Sequence, residues 1–210
     1  PRESNLFLSK STSLGISTGK TLSKRIGSPK RFSTRTMRVD LAYGNSSLPI
    51  DLPDSRTTVI EPSHKAGLTD EKSTFESALI DPIESLPLKQ RIKPSDKICI
   101  LFTDLTRATP NERIIPWLLE HLSDHPRENI TLLNQLGTHR PNTPDELKQM
   151  LGEEVLNNYR VVNHDCEDPN VLTQLGTTRT GTPALINRMA VEADIRIVTG
   201  FIEPHFFAGF

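Results

Sequence analysis

Residues 97–110 read KICILFTDLTRATP, and this stretch decides the fold. Lys97 to Phe102 is a short apolar run bounded by polar sequence, the pattern of a strand buried on both faces. Thr103-Asp104-Leu105-Thr106-Arg107 then ends the run with polar side chains. Thr109 and Pro110 follow as a cap and a first-turn proline for a helix. Its apolar side carries Ile114, Ile115, Leu118, Leu119 and Leu122, and Pro116 must lie near the first turn or kink it. Buried strand, polar turn and amphipathic helix together make a βα unit.

The same alternation continues downstream. Ile130 to Leu136 reads as a second strand. Thr143-Pro144-Asp145-Glu146 is a capping box: the threonine oxygen accepts from the backbone three residues on while Glu146 reaches back, so a helix starts there and runs to Leu151. Tyr159 to Asn163 reads as a third strand, Thr182-Pro183 as the opening of a helix through Ala193, and Ile195 to Thr199 as a fourth strand. Short buried strands separated by helices require right-handed crossovers. The expected fold class is therefore α/β, a Rossmann-like, mostly parallel sheet with helices on both faces. Upstream, Val39-Leu41-Tyr43 and Leu48-Ile50-Leu52 alternate around Gly44-Asn45-Ser46-Ser47 and predict a short β-hairpin, with Thr57 to Ile60 as a third strand. Phe75, Ala78 and Leu79 share one face of a helix over 70–81 that Pro82 ends.

The chain has 210 residues, 35% of them hydrophobic and 24% charged, with a net charge of -1 that averages two unlike segments. Residues 1–36 hold eight Lys/Arg and one acid, Glu3; residues 37–210 hold 17 bases against 25 acids, a formal -8. The basic segment is rich in Ser and Thr and has no apolar period. It admits three readings: an extension upstream of a native start at Met37, a disordered tail, or a targeting peptide. The domain division expected is thus a basic leader over 1–36 and an α/β domain over 37–210. An acidic body without interleaved aromatics argues against nucleic acid as a partner. No apolar run approaches the roughly 18 residues a membrane helix needs, and two cysteines build no disulfide framework, so a cytoplasmic setting is expected.

Parallel α/β sheets bind ligands at the carboxyl ends of their strands. Four polar clusters fall there: Asp104-Leu105-Thr106-Arg107, Gly137-Thr138-His139-Arg140, His164-Asp165-Cys166 and Glu203-Pro204-His205. No G-x-G-x-x-G or Walker A sequence is present, which argues against a standard nucleotide site. Neither cysteine has zinc-ligand spacing. Cys99 belongs in a buried strand as a small apolar residue. His121 and His125 fall at a helix end, where solvation or pairing with the helix dipole is expected. His139 and His205 instead follow strand ends, His205 beside the apolar Phe206-Phe207-Ala208. An imidazole there can give or take a proton near neutral pH, and Arg107 can clamp a carboxylate. A non-catalytic module binding a carboxylate or phosphate through Arg107 and Arg140 fits the same rim.

TDLTRATP (103–110), GTHRPNTPDEL (137–147) and GFIEPHFFAGF (200–210) resemble, in order and spacing, the signature stretches of the N-terminal domain of nickel-dependent lactate racemases and their relatives acting on other 2-hydroxy acids. The resemblance runs from about Met37 to Phe210. It implies racemisation or epimerisation of a 2-hydroxy acid substrate. In that family a nickel-pincer pyridinium-3,5-bisthiocarboxylic acid mononucleotide, made by dedicated maturation proteins, accepts the hydride of C2. By the same resemblance His139 and His205 are the paired acid/base catalysts, Arg107 holds the substrate carboxylate, and Asp104 and Thr106 line the pocket. The family's cofactor-bearing lysine and nickel-binding histidine are expected beyond Phe210. The 210 residues alone are therefore expected to be a truncated, inactive portion of a two-domain enzyme.

Overall fold

The computed structural model describes residues 35–61, 63–205 and 209. The expectations for the basic leader and for Phe206 to Ala208 lie outside the described residues, apart from Arg35 and Thr36. The chain divides between Ala66 and Gly67 into two compact units.

In the first unit, β1 (Thr36–Tyr43) and β2 (Ser46–Pro53) form the expected antiparallel hairpin, with Val39 opposite Ile50 and Leu41 opposite Leu48. Gly44 sits at φ 57°, the left-handed conformation that a tight hairpin turn demands and glycine supplies without a Cβ clash. Thr57 to Ile60 forms no strand; a 3-10 turn over Asp54–Arg56 carries the chain out of the hairpin instead.

The second unit opens with α1 (Glu71–Ile80), capped by Asp70, whose carboxylate accepts from the Ser73 amide, and then the single turn α2 (Leu88–Arg91). The buried strand β3 (Ile98–Thr103) leads to α3 (Asn111–His121) and β4 (Ile130–Gln135). Next come α4 (Pro144–Leu151), α5 (Glu153–Asn158) and β5 (Arg160–Asn163). A second hairpin, β6 (Leu172–Thr177) with β7 (Pro183–Asn187), precedes α6 (Arg188–Glu192) and β8 (Ile195–Val198). The four strands β5-β4-β3-β8 form one sheet in that order, every pair parallel.

Strand alternation assigns the two faces. Ile98, Ile100 and Phe102 join Ile130 and Leu132 in the main core against Ile115, Leu118 and Leu119 of α3 and Met150 and Leu151 of α4. Cys99 and Leu133 point the other way, onto Ala190 of α6 and Ala193. Phe102, Ile100 and Leu132 have no exposed surface, and each such side chain contributes about 1.5–3 kcal/mol by leaving water. Helices thus cover both faces, though α6 is short and Val198 on its side of β8 stays exposed.

Two local expectations are corrected. The segment 182–193 is not one helix, because Gly176 (φ 138°) and Gly181 (φ 88°) turn the chain back and Leu185 pairs with Gln174 in a hairpin. Pro183 begins a strand, a position where its missing N–H is tolerated. The helix starts only at Arg188, where the Asn187 side chain accepts from the Met189 amide. Thr109 does not cap α3: Pro110 holds the N-cap position and the Thr109 hydroxyl is buried without a partner among the described residues. Pro116 is accommodated inside that helix.

Candidate active site at the crevice between two strands

The chain runs outward from β3 to β4 and β5, then returns to place β8 on the other side of β3. The strand order therefore reverses at β3, and the loops leaving β3 and β8 flank this switch point at their carboxyl ends, where such sheets usually bind ligands in a crevice. The strand ends are lashed together there. Thr199 donates through its amide and its hydroxyl to the Leu101 carbonyl, and the Gln135 amide donates to the Thr199 carbonyl from β4.

Asp104, the first residue beyond β3, is 3% exposed. One oxygen accepts from the Thr106 amide (2.8 Å) and hydroxyl (2.6 Å); the other lies 2.5 Å from Nδ1 of His139. Burial works to raise the Asp104 pKa, yet the hydrogen bonds from Thr106 and His139 together outweigh it and hold the carboxyl below its ordinary value. An ionised Asp104 can only accept, so His139 presents its proton at Nδ1 and a lone pair at Nε2. The His139 side chain is 45% exposed, leaving that nitrogen within reach of a ligand.

Three asparagines hold this rim from beneath. Asn134 of β4, fully buried, donates to Asn142 Oδ1 (2.9 Å) and Asn163 Oδ1 (3.0 Å). Asn142 Oδ1 also accepts from the Leu105 amide in the loop of Asp104, and Asn142 donates to Glu146. Glu146 completes the expected capping box with Thr143. Its carboxylate also takes both terminal nitrogens of Arg140, at 2.9 and 2.6 Å. Arg140 is therefore spent on structure.

Arg107 is not. Its Nη1 meets Glu203 Oε1 at 2.9 Å, across the crevice between the loops of β3 and β8. Glu203 lies two residues before His205, whose backbone forms an isolated antiparallel bridge with Gly209. The structure thus joins Asp104, Thr106 and His139 in one cluster and places Arg107 and the backbone of His205 on the loops bounding the same crevice.

The sequence reading gave no role to Glu203 or to the asparagine triad. Their signals were an acid at a strand end opposite an arginine, and an amide inside an otherwise apolar run. His121 and His125 differ from expectation: His125 is buried with Nε2 2.9 Å from the Asp96 carbonyl oxygen, and His121 Nε2 is buried rather than solvated. His164 Nδ1 lies 3.0 Å from the Asn187 side-chain nitrogen. Among the described residues no cluster of His, Cys, Asp or Glu is arranged to hold a metal ion, and no helix is long and apolar enough to cross a membrane.

A family model described as the lactate racemase N-terminal domain matches residues 43–210. The lactate racemase of Thermoanaerobacterium thermosaccharolyticum is 35% identical over 177 residues, covering 82% of this chain and 41% of that protein. The lactate racemase of Lactiplantibacillus plantarum is 35% identical over 176 residues, covering 82% and 42%. The solved apoprotein structure of the first superposes with a TM-score of 0.70 at 34% identity, covering 82% of this chain and 40% of that one. The chain therefore spans about two fifths of the length of the curated relatives it matches.

Proposed function

From the premise that this chain belongs to the lactate racemase N-terminal domain family, we propose that it carries the proton-transfer half of a racemase or epimerase acting on a 2-hydroxy acid. The observation that carries the reading is the buried Asp104 carboxylate on His139 Nδ1, which leaves Nε2 as a base beside the strand-end crevice. Arg107 receives the substrate carboxylate on the part of its guanidinium fork that Glu203 does not use. His139 then takes the hydroxyl proton at Nε2, and the positive charge it gains is stabilised by Asp104. His205, on the loop leaving β8, would serve the opposite side, giving a proton of its own to the carbonyl oxygen of the planar keto acid; the other enantiomer results when C2 regains its hydride on the opposite face.

The bond from C2 to hydrogen breaks with its electron pair, and no side chain accepts a hydride. The nickel-pincer pyridinium mononucleotide expected for the family supplies that acceptor when bound. The residues fit a polar group at this rim: Thr109 Oγ1 and Asn111 Oδ1 are buried without partners among the described residues, and Asn111 is tied to the end of β3 through the Thr103 carbonyl. They are the residues we assign to hold its polar edge.

A binding module using Arg107 and Arg140 together has less support, because Arg140 is already paired bidentately with Glu146. The test is interconversion of D- and L-lactate, then of larger 2-hydroxy acids, by the full-length, cofactor-loaded protein. Replacement of His139 or His205 by Ala should abolish it with the fold intact. Turnover like the wild type in both variants would remove the acid/base assignment.

A further inference from the structure

Glu203 raises a question that the proposed reaction leaves open. A carboxylate placed against the arginine meant for an anionic substrate opposes the binding of that substrate by simple electrostatics. Yet Glu203 Oε1 meets Arg107 Nη1 at 2.9 Å, both side chains only about a third exposed, from loops 96 residues apart in sequence. The pair is a side-chain link between the loops of β3 and β8.

Guanidinium geometry supplies the answer. Arg107 has five N–H donors in a rigid plane at the end of a flexible stem, and one terminal nitrogen is engaged by Glu203. The other donors have no partner among the described residues. Glu203 is itself restrained, since the residue before a proline is confined to extended backbone and Pro204 follows. Contrast Arg140, whose two terminal nitrogens both lie on Glu146 and leave no paired edge for a ligand.

We propose that Glu203 is a positioning residue for substrate: it pins one corner of the Arg107 guanidinium so that the remaining edge is presented, already oriented, to the carboxylate of the 2-hydroxy acid. The cost of ordering a long side chain is met by Glu203 before binding, so substrate meets a preformed fork. This rests on the reading of Arg107 as the carboxylate site.

The test is a cycle in the full-length protein of Glu203→Ala, Arg107→Ala and the double variant, with Glu203→Gln as the conservative control. L-lactate binding is measured by calorimetry and racemisation kinetics on loaded enzyme. Glu203→Ala should weaken lactate binding and raise KM by about tenfold, with kcat changed less than about threefold. Glu203→Gln, which keeps an acceptor oxygen of the same reach, should recover most of the loss. The double variant should be no worse than Arg107→Ala alone. Losses that add, tighter lactate binding in Glu203→Ala, or Glu203 variants equal to wild type would each overturn the proposal. If Glu203→Ala does not fold, the smaller KM change of Glu203→Gln in the presence and absence of Arg107 carries the same comparison. Lactate binding that depends on Glu203, without racemisation by the wild type, would overturn the racemase reading alone. Racemisation with additive losses would overturn this proposal alone, and a wild type that does not bind lactate would overturn both.

Discussion

Asp104 Oδ2 lies 2.5 Å from His139 Nδ1, joining the first residue after one central strand to the loop after its neighbour. The bond fixes which imidazole nitrogen bears the proton, and it does so from a carboxylate that Thr106 holds twice over. Replacing Asp104 by Asn removes the charge that keeps Nδ1 protonated and stabilises the imidazolium. Racemisation by the loaded enzyme should fall roughly 10²- to 10⁴-fold in kcat, with far-ultraviolet circular dichroism unchanged. A kcat within threefold of wild type would show that the dyad is structural.

Glu146 links stability to pH. Side-chain bonds from Arg140, then the Thr143 amide and the Asn142 amide, hold its carboxyl at about 2, against an ordinary value of 4.5. A depressed folded-state pKa means stabilisation that is complete above the unfolded value and disappears as pH falls through the folded one. Glu146→Gln should therefore lower Tm at neutral pH, and the gap to wild type should close between about pH 4.5 and 2. A constant gap across that window, measured by thermal unfolding, would contradict the linkage. Thr143→Ala, which removes the other half of the capping box, should cost about 1 kcal/mol.

Asn134 is the keystone of the amide triad. Asn134→Leu removes both side-chain N–H donors at zero exposure, leaving the Asn163 oxygen without that partner and the Asn142 oxygen with the Leu105 amide alone, so the folded state should be destabilised by roughly 2–4 kcal/mol. Denaturant unfolding measures it, and a loss under 1 kcal/mol would mean that the loops of Asp104 and His139 are held by other contacts.

The two thiols should separate by reactivity. Burial pushes Cys99 up to about 11, with Arg196 pulling weakly the other way, so almost no thiolate forms at neutral pH. Cys166 is only partly buried. A disulfide reagent should label Cys166 in the native protein and Cys99 only on unfolding; equal rates would contradict the buried placement of β3.

Much of this was legible in the sequence because strong local signals agreed with tertiary context. KICILF could hardly be anything but a buried strand, and Thr143 to Glu146 carried its own capping chemistry. The failures share a cause. Residues 182–193 have apolar spacing compatible with a helix, but Leu185 to Asn187 pair with Leu172 to Gln174, and cross-strand pairing is invisible to a local period. Thr109-Pro110 looked like a helix start, yet the helix begins one residue later and the hydroxyl is buried. At the site, strand-end position exposed Asp104, Arg107, His139 and His205 as a rim. What it did not reveal were partnerships set by sheet order, Asp104 with His139 and Arg107 with Glu203, since neither pair is close in the chain.

The return of the last strand to the flank of the first has a temporal meaning. Strands β3, β4 and β5 can zip together in the order in which they leave the ribosome, each contacting sequence just made. Pairing of β8 with β3 must instead close a loop of nearly a hundred residues, the largest loop-closure entropy of any pairing in the sheet. The Asp104–His139 contact spans 35 residues of chain, whereas the arginine meets its carboxylate across 96. The Arg107–Glu203 pair therefore forms only with the longest-range strand pairing in the sheet.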